Sequence, residues 1–294
     1  MGGYKGILIA TDFSYFDYGK TIKIVVRPSM RKFETIYIDN EVTLDVIWGC
    51  TYSPAFFNNQ IFLILWNRWV PAEILIDYAK LRTKEIKCFL NPENINQDTV
   101  KFEKMYSMIS QFGHFISKEW LIHQYNGLTD PFINCFLRII AVKLLKDIKK
   151  RFWIPLENGC NLVGCIDPYS LIPEGYCFVK INKNWEGEIP FLLSNLTEEV
   201  IVTWMPGVNA GDIWRLRVFK PEDEFIASLY ENIENVILFS AHGDWPETDK
   251  MSGGDCDGDI YWLCWEELII AFFDEHEPTE PKDKNLKTPF QSVH

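Results

Sequence analysis

Ser252-Gly253-Gly254-Asp255-Cys256-Asp257-Gly258-Asp259-Ile260-Tyr261-Trp262 is the stretch on which the reading of this chain turns. Three carboxylates stand at alternate positions. That spacing points side chains to one side of an extended backbone. Glycine lets the backbone curl, so the three acids can converge. Converging carboxylates repel one another unless a cation lies between them. Oxygen-only ligands of this kind suit Mg²⁺ or Mn²⁺. The plain alternative is an acidic surface turn. An EF-hand loop needs a glycine after its third acid, whereas here Gly258 precedes Asp259 and Ile260 follows it. A phosphatase-type D-x-D-x-[TV] loop fits poorly, because its fifth position is Asp259. A nucleotidyl-transfer centre needs clustered acids that hold two metals, one at the attacking hydroxyl and one at the leaving phosphate. Asp255, Asp257 and Asp259 meet that need, with Gly254 and Gly258 shaping the loop.

The rest of the chain sets the frame. Its 294 residues suffice for one large domain or two ordinary ones, and 47% hydrophobic residues supply a core. The net charge of −12 is unfavourable for a surface that must hold phosphates, although Lys143 to Arg151 is a local basic run. Eight cysteines contain no C-x-x-C pair, which argues against zinc and for reduced thiols in a cytoplasmic or nuclear protein. The N-terminus has no apolar signal region. The apolar run Ile61 to Val70 is short and interrupted by Asn67 and Arg68, so no membrane partner is expected.

Hydrophobic periodicity divides the chain. Ile7–Ala10 and Thr21–Val26 are β-branched runs that read as strands. Residues 58–151 read as mostly helical. Pro71 opens one helix running to about Lys84, and Asp130-Pro131 caps another. In the latter, Ile133, Leu137, Ile140, Leu144 and Ile148 mark one apolar face. From Phe152 onward short apolar runs alternate with turns: Leu162–Ile166, Tyr176–Ile181, Val200–Trp204, Ile213–Phe219, Val236–Phe239 and Ile260–Trp265. Such spacing argues for a sandwich or barrel, with the acids on a loop at its rim. An apolar helical segment and a polar tail, expected to be disordered, follow.

The loop strongly resembles the catalytic loop of the eukaryotic, cellular RNA-dependent RNA polymerases of RNA silencing. Other segments match that family in order. Gly3-Tyr4-Lys5-Gly6 resembles the strand entering its first barrel, and Val26-Arg27-Pro28-Ser29-Met30-Arg31-Lys32-Phe33 resembles its R-P-S-x-x-K-F motif. Asn58-Asn59-Gln60-Ile61 and Asp130-Pro131-Phe132 resemble helix starts of its connector. Ile154-Pro155-Leu156 through Leu162-Val163-Gly164 and Asp167 resemble the strand pair opening the second barrel. Pro206 with Gly211-Asp212-Ile213, and Phe239 with Gly243-Asp244 and Pro246, complete the series. The resemblance implies an α+β fold built on double-psi β-barrels. Residues 1–55 would be a partial first barrel, 56–151 a helical connector, 152–265 the catalytic second barrel, and 266–294 a short helix and tail. It implies RNA-directed synthesis of RNA from nucleoside triphosphates, with Asp255, Asp257 and Asp259 as catalytic ligands of Mg²⁺ or Mn²⁺. Lys5, Arg27 and Lys32 would contact template, nucleotide or product phosphate. The implied partners are RNA template, nucleoside triphosphates and silencing-complex proteins.

The chain departs from the family pattern in two ways. It is short, which implies a fragment, a truncated paralogue or one part of a split enzyme. Several expected basic positions carry other residues: Asn59, Cys160, Trp204 and Trp245 in place of arginine, and His242 in place of lysine. Losing arginine at a phosphate-facing site removes both the charge and the bidentate fork. Several of these are changes that single C-to-T transitions in arginine codons produce, which implies a decaying copy. The alternative to an active polymerase is therefore an inactive paralogue acting as a binding module in a silencing complex.

Overall fold

The computed structural model describes residues 3–9, 30–33, 46, 49–88, 131–183, 189–207, 209–251 and 254–274. Arg27 and most of its motif, the expected strand Thr21–Val26, the cap Asp130, Ser252-Gly253 and the tail from 275 lie outside the described residues. The chain divides into two compact units.

The first unit holds residues 1–55, Asn67–Trp69 and everything from Leu156 onward. Its strands are β1 (Gly3–Tyr4), β2 (Arg31–Phe33), β4 (Ile154–Ile166), β5 (Tyr176–Ile181), β6 (Phe191–Leu192), β7 (Glu199–Trp204), β8 (Ile213–Val218), β9 (Val236–Phe239) and β10 (Ile260–Cys264). A further strand, β3 (Ser53–Phe57), lies beside β4, where the Asn161 side chain donates to the Pro54 carbonyl at 2.9 Å. Six strands close a ring: β4 pairs β10, β10 pairs β7, β7 pairs β8, β8 pairs β5, β5 pairs β9, and β9 returns to β4. Two of these pairings, β4–β9 and β5–β8, are parallel; the other four are antiparallel.

Closure explains the sequence pattern. A closed ring covers the inner face of every strand, and on β5 and β9 the outer face is covered as well, so alternate residues there serve two cores rather than one core and water. Cys177, Val179 and Ile181 of β5 join Val200, Val202, Ile237, Phe239, Tyr261 and Leu263 in one cluster. The intervening Phe178, Val236 and Leu238 join Tyr169, Ile172, Leu229, Tyr230 and Ile233 in the other. Burying each such large apolar side chain contributes about 1.5–3 kcal/mol. The family resemblance implied a strand pair over Ile154 to Gly164. The structure instead has one 13-residue strand, β4, whose middle pairs β10 (Gly159–Val163) and whose end pairs β9 (Val163–Ile166). Charged Glu157 and Gly159 do not break it, because pairing with a neighbour outweighs local propensity. Two short helices complete the unit. α4 (Glu224–Leu229) is capped by Asp223, which accepts from Phe225 and Ile226 N–H, and α5 (Glu267–Phe272) follows β10.

The second unit spans residues 56–66 and 70–155. It contains α1 (Asn59–Asn67), α2 (Ala72–Cys88) and α3 (Pro131–Arg151). Asn58 caps α1 by accepting from Ile61 N–H at 2.9 Å. Leu137, Ile140, Ala141 and Leu144 form the buried face of α3, and its end carries Lys149, Lys150 and Arg151. Phe152 then takes the left-handed conformation (φ 53°) and ends the helix, with its N–H bonded to the Ile148 carbonyl. Its ring packs edge-on to Phe62 at 4.8 Å.

Candidate catalytic centre

The acidic loop enters β10 at Ile260 and is tied down on several sides. Tyr261 hydroxyl donates to the Asp255 carbonyl at 3.1 Å, and Gly164 N–H of β4 donates to the Asp259 carbonyl at 3.0 Å. Gly254 N–H donates to the Met251 carbonyl at 3.1 Å. Within the loop, Asp255 N–H donates to Asp259 Oδ2 and Asp257 N–H to Asp255 Oδ1, both at 3.0 Å. Gly258 sits at φ +130°, a conformation that side-chain-bearing residues rarely adopt and that folds Asp259 back toward Asp255. Gly254 is required for a different reason: a Cβ there would lie 2.7 Å from the Tyr261 hydroxyl and 3.1 Å from Trp204 Cγ.

The result is convergence. One carboxylate oxygen from each of Asp255, Asp257 and Asp259 lies within 4.8 Å of the others. Opposite ligands of an octahedral Mg²⁺ stand about 4.1 Å apart, from metal–oxygen distances of about 2.0–2.1 Å. Closing the triad onto such an ion takes side-chain movements of under roughly 1 Å. The donor set is all oxygen and strongly negative, so it fits a hard divalent cation.

Two lysines face the triad. Lys5 Nζ lies 2.8 Å from Asp257 Oδ1, and Lys32 Nζ lies 3.0 Å from Asp257 Oδ2. The antiparallel pairing of β1 with β2 presents both, with Gly3 opposite Phe33 and Tyr4 opposite Arg31. Burial would raise the Asp257 pKa, but hydrogen bonds from Lys5 and Lys32 outweigh it and hold the carboxyl at about 2. Asp255 moves the other way: burial, then the neighbouring Asp257, raise it. The ammonium of Lys5 is raised by its hydrogen bond to Asp257. A depressed carboxyl stabilises the fold above its unfolded pKa of 3.8, and that contribution fades as pH falls toward 2. In Mg²⁺-free buffer, Asp255 therefore protonates before Asp257. Lys5→Met moves the Asp257 midpoint upward from about 2, read by carboxyl-carbon NMR; an unmoved midpoint would mean that Lys5 contributes nothing.

Sequence reasoning brought the three aspartates and both glycines together, and anticipated Lys5 and Lys32 as phosphate contacts. The structure places both lysines against Asp257. Tyr261, Gly164 and Trp204 all stand in the segments quoted from the sequence, but that they surround the loop was not anticipated. Glu266, the twelfth residue counted from Asp255, lies past the far end of β10 and accepts from Asn158 N–H and Nδ2, both at 3.2 Å. Position 160 corrects an expectation: Cys160 is fully buried within the ring cluster, so an arginine there could not face a phosphate. Asn59 is exposed and donates to the Lys150 carbonyl, and His242 is exposed with Nε2 2.8 Å from the Ser170 carbonyl. Trp204 is half-buried against Gly254, and Trp245 is also half-buried. Asp167 and Asp212, which stand in two of the segments that resemble the family, are buried structural acids. Asp167 accepts three backbone N–H groups, and Asp212 accepts Asn209 N–H at 2.6 Å in a capping box.

Comparison with known proteins gives the class. The family model of RNA dependent RNA polymerase matches residues 1–293, and the chain belongs to that family. It is 24% identical over 287 residues to the probable RNA-dependent RNA polymerase SHL2 of Oryza sativa subsp. japonica, covering 92% of this chain and 21% of that protein. It is 26% identical over 280 residues to RNA-dependent RNA polymerase 2 of Arabidopsis thaliana, covering 92% and 23%. It is 23% identical over 295 residues to RNA-dependent RNA polymerase 1 of Schizosaccharomyces pombe, covering 95% and 23%. The chain thus spans between a fifth and a quarter of the length of these relatives. Among solved structures it is similar in fold to the RNA dependent RNA polymerase QDE-1 from Thielavia terrestris. There the TM-score is 0.63 with 21% identity, over 95% of this chain and 32% of that one. The fold is a mixed α+β arrangement with one large sheet. Among the described residues, no helix is long and apolar enough to cross a membrane.

Proposed function

We propose that this chain carries the catalytic centre of an RNA-directed RNA polymerase, which joins nucleoside triphosphates on an RNA template in RNA-mediated gene silencing in the cytoplasm or nucleus. The observation that carries this reading is the convergence of Asp255, Asp257 and Asp259 on one rim loop, with Lys5 and Lys32 against them. The six-stranded ring with two parallel pairs, β4–β9 and β5–β8, supports reading residues 152–265 as a double-psi β-barrel. On that reading residues 1–55 belong to a partial first barrel, 56–151 to the connector and 266–294 to the terminal helix and tail.

In this mechanism Asp255, Asp257 and Asp259 would hold Mg²⁺ or Mn²⁺, which when bound would supply acidification of the attacking 3′-hydroxyl and charge stabilisation at phosphorus. The chain's own residues do the rest. The loop amides and Tyr261 orient the carboxylates. Lys5 and Lys32 hold Asp257 ionised, and each ammonium carries donors beyond those on Asp257 with which to meet a triphosphate or product phosphate. Arg27 is assigned the same phosphate role from the family motif.

The test is Mg²⁺-dependent incorporation of ribonucleotides on single-stranded RNA by the purified chain, alone and with the remaining segments of a full-length relative. No incorporation in either case, with metal binding intact, overturns the reading. Trp204, packed beside Gly254 where the family pattern has arginine, favours the second reading of an inactive paralogue that binds silencing proteins. That reading requires an association that survives Asp257→Ala.

A further inference from the structure

Tyr261 stands apart from the other residues around the loop because it belongs to the barrel interior. It is fully buried in the ring cluster, and its ring lies 4.9 Å from that of Phe239 in an edge-on contact. Its backbone is fixed from both sides, opposite Leu162 of β4 and Trp204 of β7. Gly164 makes room for it: a Cβ there would stand 2.2 Å from Tyr261 Cε2 and 3.1 Å from the Phe239 ring. The phenol therefore runs along a channel walled by Gly164 and Phe239 and comes out under the loop. Its hydroxyl there meets the Asp255 carbonyl at 3.1 Å. The bare Cα of Gly254 admits it. The same glycine strand fixes the other end of the triad, since Gly164 N–H holds the Asp259 carbonyl.

We infer that Tyr261 is a positioning residue for the metal centre: its hydroxyl, held rigidly by the barrel core, sets the backbone of Asp255 and thereby the spacing of the three carboxylates. This rests on the reading of the triad as a metal site. The physical argument is preorganisation. A metal site on a loop binds well only when a buried second layer fixes the ligand backbones, and outer partners of this kind change metal affinity by large factors when lost. Here one side chain joins the core to the first ligand of the triad through one hydrogen bond.

The experiment is a Mn²⁺ titration of the Mg²⁺-free chain, following free Mn²⁺ by electron paramagnetic resonance, alongside thermal unfolding. Tyr261→Phe keeps the ring and removes only the hydroxyl. Gly254→Ala keeps the hydroxyl and pushes it from the Asp255 carbonyl, so it perturbs the same contact from the loop side. Each weakens Mn²⁺ binding by about threefold to tenfold, the effect of one net hydrogen bond. A purely structural role for Tyr261 would lower the unfolding temperature without moving the Mn²⁺ dissociation constant, and that outcome overturns the inference. If Tyr261→Phe does not fold, the Gly254→Ala titration decides. If wild type and Asp257→Ala bind Mn²⁺ alike, the metal reading itself fails; if only Tyr261→Phe matches wild type, the positioning role alone fails.

Discussion

On the proposed reading, Asp257→Ala abolishes Mg²⁺-dependent ribonucleotide incorporation, a loss of at least about a thousandfold, or roughly 4 kcal/mol of transition-state stabilisation. The size follows from its place. Asp257 is the middle carboxylate of the triad and the one that both lysines contact. Removing it takes away a proposed metal ligand and, with it, the anchor that places Lys5 and Lys32. The fold survives the change. Lys5 and Lys32 are 62% and 43% exposed, and ion pairs to such exposed side chains contribute little net stability. Asp255 also loses a like-charged neighbour, which relieves repulsion in the metal-free loop. A small change in thermal unfolding together with lost Mn²⁺ binding and lost incorporation is therefore the expected pattern. Incorporation retained within tenfold would remove Asp257 from the chemistry.

The triad was legible because its information is local. Alternate spacing and the turn at Gly258 suffice to predict that the carboxylates converge, and the structure brings them together. The barrel strands were legible for the same reason: each of the six apolar runs read from Phe152 onward overlaps a strand of the ring. What surrounds the triad was not legible, because it depends on partners far apart in sequence. Lys5 meets Asp257 across 252 positions. Gly164 looks like any strand glycine until Tyr261 is seen lying across it. Cys160 was misread because alternation along β4 gives two candidate faces, and only ring closure says which one points into the core. The order of pairing, with two parallel contacts in an antiparallel ring, is likewise a long-range property that short apolar runs do not encode.

Asp167 entered the family resemblance as part of the segment opening the second barrel, and the structure gives it a task with a testable size. Asp167 is 3% exposed and sits just beyond β4. Oδ1 accepts from Tyr169 N–H at 3.0 Å, while Oδ2 accepts from Leu171 N–H at 2.7 Å and Ile172 N–H at 2.9 Å. Tyr230 hydroxyl donates to the same carboxylate at 3.0–3.1 Å, and its ring packs on Tyr169 and Phe178 in the outer core. Asp167→Ala leaves these buried donors without their acceptor and destabilises the unit by roughly 3–5 kcal/mol, which lowers its unfolding temperature by on the order of 10 °C. Asp167→Asn does not rescue it fully, because an amide nitrogen at either oxygen position turns a donor toward backbone donors. Tyr230→Phe removes one of these bonds and costs less, about 1–2 kcal/mol. Activity separates this role from catalysis: well below the transition, Asp167→Asn keeps Mn²⁺ affinity and incorporation near wild type, and loses both only as it unfolds. A variant that is fully folded yet inactive would instead give Asp167 a part in the chemistry.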